Sequence, residues 1–323
     1  MTALALRVDG IVKRFGNHVA VDGVSFEVQR GVVYGVLGPN GAGKSTMLRM
    51  INDIIAPDAG TVRILDDLAP GLAAARRIGY LPEERGLYPK MRVLDMIVFM
   101  AELRGLRGGD ARKRSEAWLD KLGLGQWRDN KVQDLSKGMQ QKVQFATALI
   151  HEPELVILDE PWSGLDPINA EVLRETVEDI VKAGRTVLFS THQMEQAEKV
   201  CDSVCIIARG KKILDGELAA IRRAAAEEGR IAVAADGEAA RRVLDDRTLV
   251  AAGATAATGD GVTEVRMADG VSPDKLLAAL VGAGASVRRF EVVTPSLHDI
   301  FVSRVGREAA IAVRHDGEAG AAS

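Results

Sequence analysis

The chain has 323 residues, 42 basic against 45 acidic side chains, and a net charge of −3 at neutral pH. That length suits two domains with a buried core in each, and the balanced charge gives no basic field to attract nucleic acid. Aromatic residues make up only 4%, too few for a base-stacking surface, and no apolar run reaches the ~18 residues that cross a bilayer.

The longest apolar candidate, Val93–Leu103, is broken by Asp95 and Glu102. The N-terminus carries no basic-then-apolar export signal, so a cytoplasmic, reduced and soluble chain is expected. Cys201 and Cys205 lack His or Cys neighbours at metal spacing and read as small core residues.

In chain order, Leu4–Val12, Val19–Val21 and Val24–Val28 alternate apolar and polar residues between short Gly- or Asn-bearing turns, which predicts a small antiparallel sheet. Phe15, in the turn Lys13-Arg14-Phe15-Gly16, is either a core ring or an exposed one placed to stack on an adenine. Val32–Leu37 is a β-branched apolar run, a buried strand.

The strand runs into Gly38-Pro39-Asn40-Gly41-Ala42-Gly43-Lys44-Ser45-Thr46, which reads GxxxxGK[ST], with a helix from Ser45 onward. Glycines in such a loop let backbone N–H groups curl around phosphate oxygens, and the following helix adds its positive N-terminal end. Lys44 is expected to reach the β- and γ-phosphates and the Ser45 hydroxyl to bind Mg²⁺.

Thr61–Leu65 and Arg77–Leu81 are short strands; the second ends at Pro82 and enters a polar loop, Glu83-Glu84-Arg85-Gly86-Leu87-Tyr88-Pro89. Residues 92–104 and 110–122 have helical periodicity and form a helical insert. Leu135-Ser136-Lys137-Gly138-Met139-Gln140 opens a further helix, with Met139, Val143, Ala146 and Ile150 on its apolar face. Ser136 is a good N-cap; the stretch is either just a capped helix or a helix end open to an anion.

Leu155–Leu158 is a continuous apolar strand ending in Asp159-Glu160, at the edge where open α/β sheets bind ligands. In phosphate-loop NTPases such an Asp holds Mg²⁺, and a Glu beside it can deprotonate the attacking water. Pro167 starts a helix that Gly184 ends, and Thr186–Ser190 is another buried strand. His192 follows at the same edge, either as a structural ring or bonded to a γ-phosphate or catalytic water. Val204–Ala208 and Lys211–Leu214 close the domain as a hairpin.

From about Arg222 the chain turns Ala-rich and motif-free. Ile231–Ala235, a helix through Val243, Leu249–Thr258, a Gly259-Asp260-Gly261 turn, Val262–Met267, a helix at Pro273–Ala283 and Val287–Val293 give βαββαβ, the order of a ferredoxin-like domain. A last helix is expected at Ser296–Val305, and a frayed Ala/Gly/charged tail at 308–323. The expected fold is α/β: a phosphate-loop core over 1–221, with a helical subdomain at about 90–150, and an α+β accessory domain over 222–307.

With these motifs in fixed order, residues 1–220 resemble the ATP-binding subunit of an ABC transporter. Gly38–Thr46 matches Walker A and Leu155–Glu160 Walker B; Leu135–Gln140 resembles the family signature, Ser163–Asp166 the D-loop, and His192 the switch histidine. Phe15 takes the place of the adenine-stacking aromatic. The accessory domain and the 81–89 loop are similar to the ABC-2 exporter branch, the sodium-efflux type among it. Two features depart from the pattern: Lys137 and Met139 stand in for a glycine and the glutamine of the signature, and Glu83 stands where a glutamine is usual.

The resemblance implies an ATPase with ATP and Mg²⁺ as ligands, and Glu160, His192 and Lys44 as catalytic groups. Ser45, Asp159 and Glu83 would hold the metal, and Ser136 and Gly138 would bind the ATP of a second nucleotide domain, forming a homodimer. It also implies a separate membrane permease and no direct nucleic-acid partner. The rival readings are a soluble ABC ATPase on ribosomes or DNA, and a regulatory subunit that binds ATP but barely hydrolyses it.

Overall fold

A computed structural model describes residues 3–306 apart from 66, 85, 227–229, 259–261 and 294. The expected turn at 259–261 and the expected tail at 308–323 lie outside the described residues. The chain divides into two compact units, Met1–Glu217 and Leu218–Ser323.

The first unit opens with β1 (Leu4–Phe15), β2 (His18–Gln29), β3 (Val33–Leu37), α1 (Lys44–Ile51) and β4 (Ala59–Ile64). β1 and β2 are longer than their turn residues suggest. Gly10 and Gly23 sit at positive φ inside the strands, where the pairing register shifts, so the turn expected around Gly23 is a bulge. β4 completes this sheet in the antiparallel order β2-β1-β4.

Next come α2 (Leu72–Ala75), β5 (Ile78–Leu81), α3 (Val93–Leu103), α4 (Gly108–Lys121) and α5 (Lys137–Leu149). They are followed by β6 (Leu155–Asp159), α6 (Pro167–Lys182), β7 (Thr186–Thr191), α7 (Met194–Val200), β8 (Ser203–Ala208) and β9 (Lys211–Glu217). The main sheet runs β5-β6-β7-β3-β8-β9, parallel except for β9. Every residue of β3, β6 and β7 is buried, as apolar strands covered on both faces must be. The helical insert has its own core, in which Val93 and Ile97 of α3 and Leu119 of α4 meet Val143 and Ala146 of α5.

The starts of the parallel strands are stitched together. Gly31 N–H donates to the Thr186 hydroxyl at 3.0 Å and Val33 N–H to Asp202 at 2.8 Å. Glu154, just before β6, pairs with both Arg30 and Arg77. The opposite ends of the strands carry the loops of interest. Cys205 is fully buried on β8, whereas Cys201 is only half-buried; burial pushes both thiols above their ordinary range.

The second unit holds α8 (Leu218–Ala226), β10 (Arg230–Asp236), α9 (Glu238–Leu244), β11 (Val250–Thr258), β12 (Val262–Met267), α10 (Pro273–Gly282) and β13 (Ser286–Val292), then a helix over 297–306. Its sheet runs β11-β12-β10-β13, all antiparallel. This is the strand order of the ferredoxin-like βαββαβ fold. Ile231, Val233 and Val265 pack on Ala240 of α9 and Leu276 and Leu280 of α10.

Candidate functional site

The phosphate loop leaves the C-terminal end of β3 and is pressed against its neighbours. At Gly38, φ is +155° and a Cβ would lie 2.1 Å from the Ile207 carbonyl oxygen; at Gly43, φ is +104° and a Cβ would lie 2.3 Å from that of Ala20. Side chains are excluded at both positions, so only glycine lets the loop backbone approach this closely. α1 begins at Lys44 with Gly43 as N-cap and no side-chain capping bond, which leaves its first N–H groups open to an anion.

Lys44 is buried and folds back on this cradle. Its ammonium donates to the carbonyls of Gly38 at 2.9 Å and Pro39 at 3.2 Å, and lies 3.4 Å from Glu160 Oε1. Parallel pairing sets Asp159 of β6 beside Ser190 of β7. The Ser45 hydroxyl donates to Asp159 Oδ1 at 3.1 Å, and the Ser190 hydroxyl donates to the same oxygen. Burial, with the neighbouring Glu160 carboxylate adding to it, raises the Asp159 carboxyl above its ordinary range; the Ser190, Ser45 and Lys44 contacts oppose that rise.

Glu160 follows the strand at φ +48°, a left-handed conformation uncommon for a side-chain-bearing residue. Its N–H bonds Ser190, and Oε2 accepts from the Thr191 hydroxyl at 3.3 Å. His192 Nδ1 is 3.0 Å from the same Oε2, so the ring presents Nδ1–H to a carboxylate that can only accept. The chemical result is a buried acid joined to an ammonium on one oxygen and an imidazole on the other.

Lys44, Ser45, Glu160 and His192 open on a cleft of about 470 Å³ that also brings in Phe15, Asn40, Gly41, Ala42, Thr46 and Glu83; Asp159, Ser190 and Thr191 lie behind its lining. The volume falls in the usual range for small-molecule sites. Phe15 is 51% exposed at the end of β1, not in the core. Ser136 caps α5, accepting from Met139 N–H at 3.3 Å, and is exposed; it and Gly138 do not line this cleft.

Ser190 and Thr191 were not singled out by sequence reasoning, although hydroxyls at the ligand edge of a buried strand are a usable signal. His18, opposite Phe15 in the β1–β2 register, also lines the cleft and carried no motif. Among the described residues no group of three His, Cys, Asp or Glu side chains could hold a metal alone. The Ser45 hydroxyl and Asp159 carboxylate still fit Mg²⁺, which takes few protein oxygens and fills its octahedron with water and substrate phosphate.

Residues 21–163 match the family described as ABC transporter, and 216–305 match the C-terminal domain of DrrA1-3-like ATP-binding proteins. The uncharacterized ABC transporter ATP-binding protein YhaQ of Bacillus subtilis is 39% identical over 301 residues, covering 93% of this chain and 98% of that protein. The chain belongs to the ABC transporter ATP-binding proteins. The Nod factor export ATP-binding protein I of Cupriavidus metallidurans is 35% identical over 311 residues, or 95% of this ABC subunit and 99% of that protein.

Among solved structures, the ATP-binding subunit of an ABC transporter superposes with a TM-score of 0.63 at 32% identity, over 68% of this subunit and 92% of that chain. A dimeric ATP-binding cassette bound to ADP and Pi gives 0.61 at 25% identity, over 66% and 98%. The ABC family binds and hydrolyses ATP.

Proposed function

We propose that this subunit drives export through a separate membrane permease, hydrolysing ATP with Mg²⁺ between two copies of itself. The observation that carries the reading is the contact chain Lys44–Glu160–His192 beside Ser45 and Asp159, at one edge of the main sheet. Lys44 and the N–H groups of Gly41–Ser45 hold the β- and γ-phosphates, and Phe15 stacks on the adenine. Ser45 and Asp159, with Glu83 across the cleft, hold the metal, which when bound neutralises phosphate charge. Glu160 takes the proton of the attacking water, while His192 fixes the carboxylate through its Nδ1–H.

Ser136 and Gly138 do not line their own chain's cleft. In this reading they close over the ATP of the second copy, offering it the N-terminal end of α5. Binding then joins the two copies and hydrolysis separates them. Among the described residues no helix is long and apolar enough to cross a membrane, which supports a permease on another chain. Exposed Leu72, Tyr88 and Leu103, on and around α2 and α3, give that permease an apolar surface to grip. Export rather than import is favoured by the names of the Nod factor export relatives.

Glu160→Gln tests the assignment. Turnover should fall by about 10²- to 10⁴-fold, the usual contribution of a general base, while ATP binding persists and an ATP-bound dimer accumulates on size exclusion. Phosphate release near the wild-type rate would refute the role of Glu160.

A further inference from the structure

Helix α5 is buried on all sides from Gln141 to Leu149, yet that stretch carries several polar side chains. Thr147 bonds back to Gln144 O within the helix, while Gln141, Lys142 and Gln144 reach backbone carbonyls outside it. Gln141 Nε2 donates to Pro161 O at 3.3 Å, just past Glu160, and Lys142 Nζ donates to Leu122 O at 3.2 Å. Gln144 makes the most informative contact. Its Nε2 donates to Pro82 O at 2.9 Å and to Glu84 O at 3.2 Å, so one amide grips the peptide carbonyls on both sides of Glu83.

The other end of that amide is unmatched. Gln144 is 4% exposed, and its Oε1 is buried with no hydrogen-bond partner among the described residues. Turning the amide over would set Oε1 against two carbonyl oxygens, so the orientation is fixed by its acceptors. A buried acceptor without a donor is unfavourable, and an apolar side chain would suit this helix face better. What the amide supplies instead is a two-pronged donor that only Gln, at this length, brings to both carbonyls.

We infer that Gln144 is a positioning residue for Glu83: it clamps the backbone either side of that residue and so aims its carboxylate into the cleft that holds Lys44, Ser45 and Glu160. The inference rests on the reading of Glu83 as a metal ligand. It also makes α5 the common support of three loops, because the same helix holds Pro161 through Gln141 and presents Ser136 at its own N-terminus.

The test reads Mn²⁺ binding to the full chain with ADP, by the electron paramagnetic resonance of free Mn²⁺, so that no turnover is involved. Wild type, Glu83→Gln, Gln144→Met and the double variant are compared, with thermal melting of each. Gln144→Met should weaken Mn²⁺ binding by about tenfold, the lower end of what losing an outer-shell partner costs a metal site. It should melt no lower than wild type, because the orphaned Oε1 is gone. In the Glu83→Gln background the Gln144 change should have no further effect, since it acts only through Glu83.

If Glu83→Gln weakens Mn²⁺ binding and Gln144→Met does not, the clamp is refuted while the metal ligand stands. If Glu83→Gln has no effect, the metal reading fails and the inference falls with it. Additive effects in the double variant would mean that Gln144 acts elsewhere, and would overturn the proposal. Gln144→Leu, which also removes both donors, replaces the Met variant if that one does not fold.

Discussion

The ion pair between Lys44 and Glu160 makes a prediction about stability that is separate from turnover. The two charges stand 3.4 Å apart with side chains only 5% and 7% exposed. Glu160→Gln preserves shape and keeps an acceptor for Thr191, but leaves the Lys44 ammonium buried without its nearest counter-charge. Removing one partner of a buried pair costs about 3–5 kcal/mol. Here Lys44 keeps two carbonyl acceptors, at 2.9 and 3.2 Å, so we expect about 2 kcal/mol, below the usual range. At about 2–4 °C per kcal/mol for a unit of this size, melting without nucleotide should fall by about 4–8 °C. A bound triphosphate supplies the missing negative charge. The rise in melting temperature on adding a non-hydrolysed ATP analogue should therefore exceed the wild-type rise by a similar amount. Differential scanning fluorimetry with and without the analogue measures both quantities. An unchanged nucleotide-free melting point together with an equal shift would show that the pair carries no energy, and the reasoning would be wrong.

Three other outcomes are expected. Gly43→Ala should destabilise the first unit by about 2–4 kcal/mol and abolish ATP binding, because the new Cβ meets a backbone oxygen at 2.3 Å in a left-handed conformation; normal melting and affinity would contradict the cradle geometry. Burial, then the charge of Arg104, pushes the pKa of His151 down to about 4 from 6.5. The fold thus prefers the neutral ring, and its contribution, complete above pH 6.5, is lost as pH falls towards 4. Linkage sets a ceiling of about 3 kcal/mol, and the half-buried ring should realise about 2. Urea midpoints at pH 7.5 and 4.5 should show that loss in wild type and a smaller one in His151→Gln; equal losses would clear His151. A chain ending at Glu217 should bind ATP within a few-fold of wild type and assemble less well with its permease, and loss of binding in a folded truncation would reverse that division of labour.

Much of the site was legible because its elements are marked by local chemistry. β3 and β6 are unbroken apolar runs, α6 has Asp166 and Pro167 at its start, and the loop between β3 and α1 tolerates few residue types at Gly38 and Gly43. Reading failed where a local signal has two structural meanings. Gly23 marks a turn in most sequences, but here it is a bulge within one long strand, because β2 must curve alongside β1. α2 and α7 were missed because four and seven residues carry too little periodicity. Gln144 was invisible for another reason. On the sequence it is one of several polar residues along α5, and its meaning comes from two carbonyls some sixty residues earlier.

The stitching at the strand starts separates two kinds of vulnerability in space. Gly31–Thr186, Val33–Asp202 and the Glu154 pairs hold the sheet together at one end, while Lys44, Asp159, Glu160 and His192 sit at the other. Substitutions at the first end should lower the amount of folded protein and leave the activity of each surviving molecule intact; substitutions at the second should act first on turnover, with a stability cost where a buried charge loses its partner, as at Glu160. The fold can therefore be retuned towards a new rate or a new nucleotide at its ligand edge, with compensating changes made far from the chemistry.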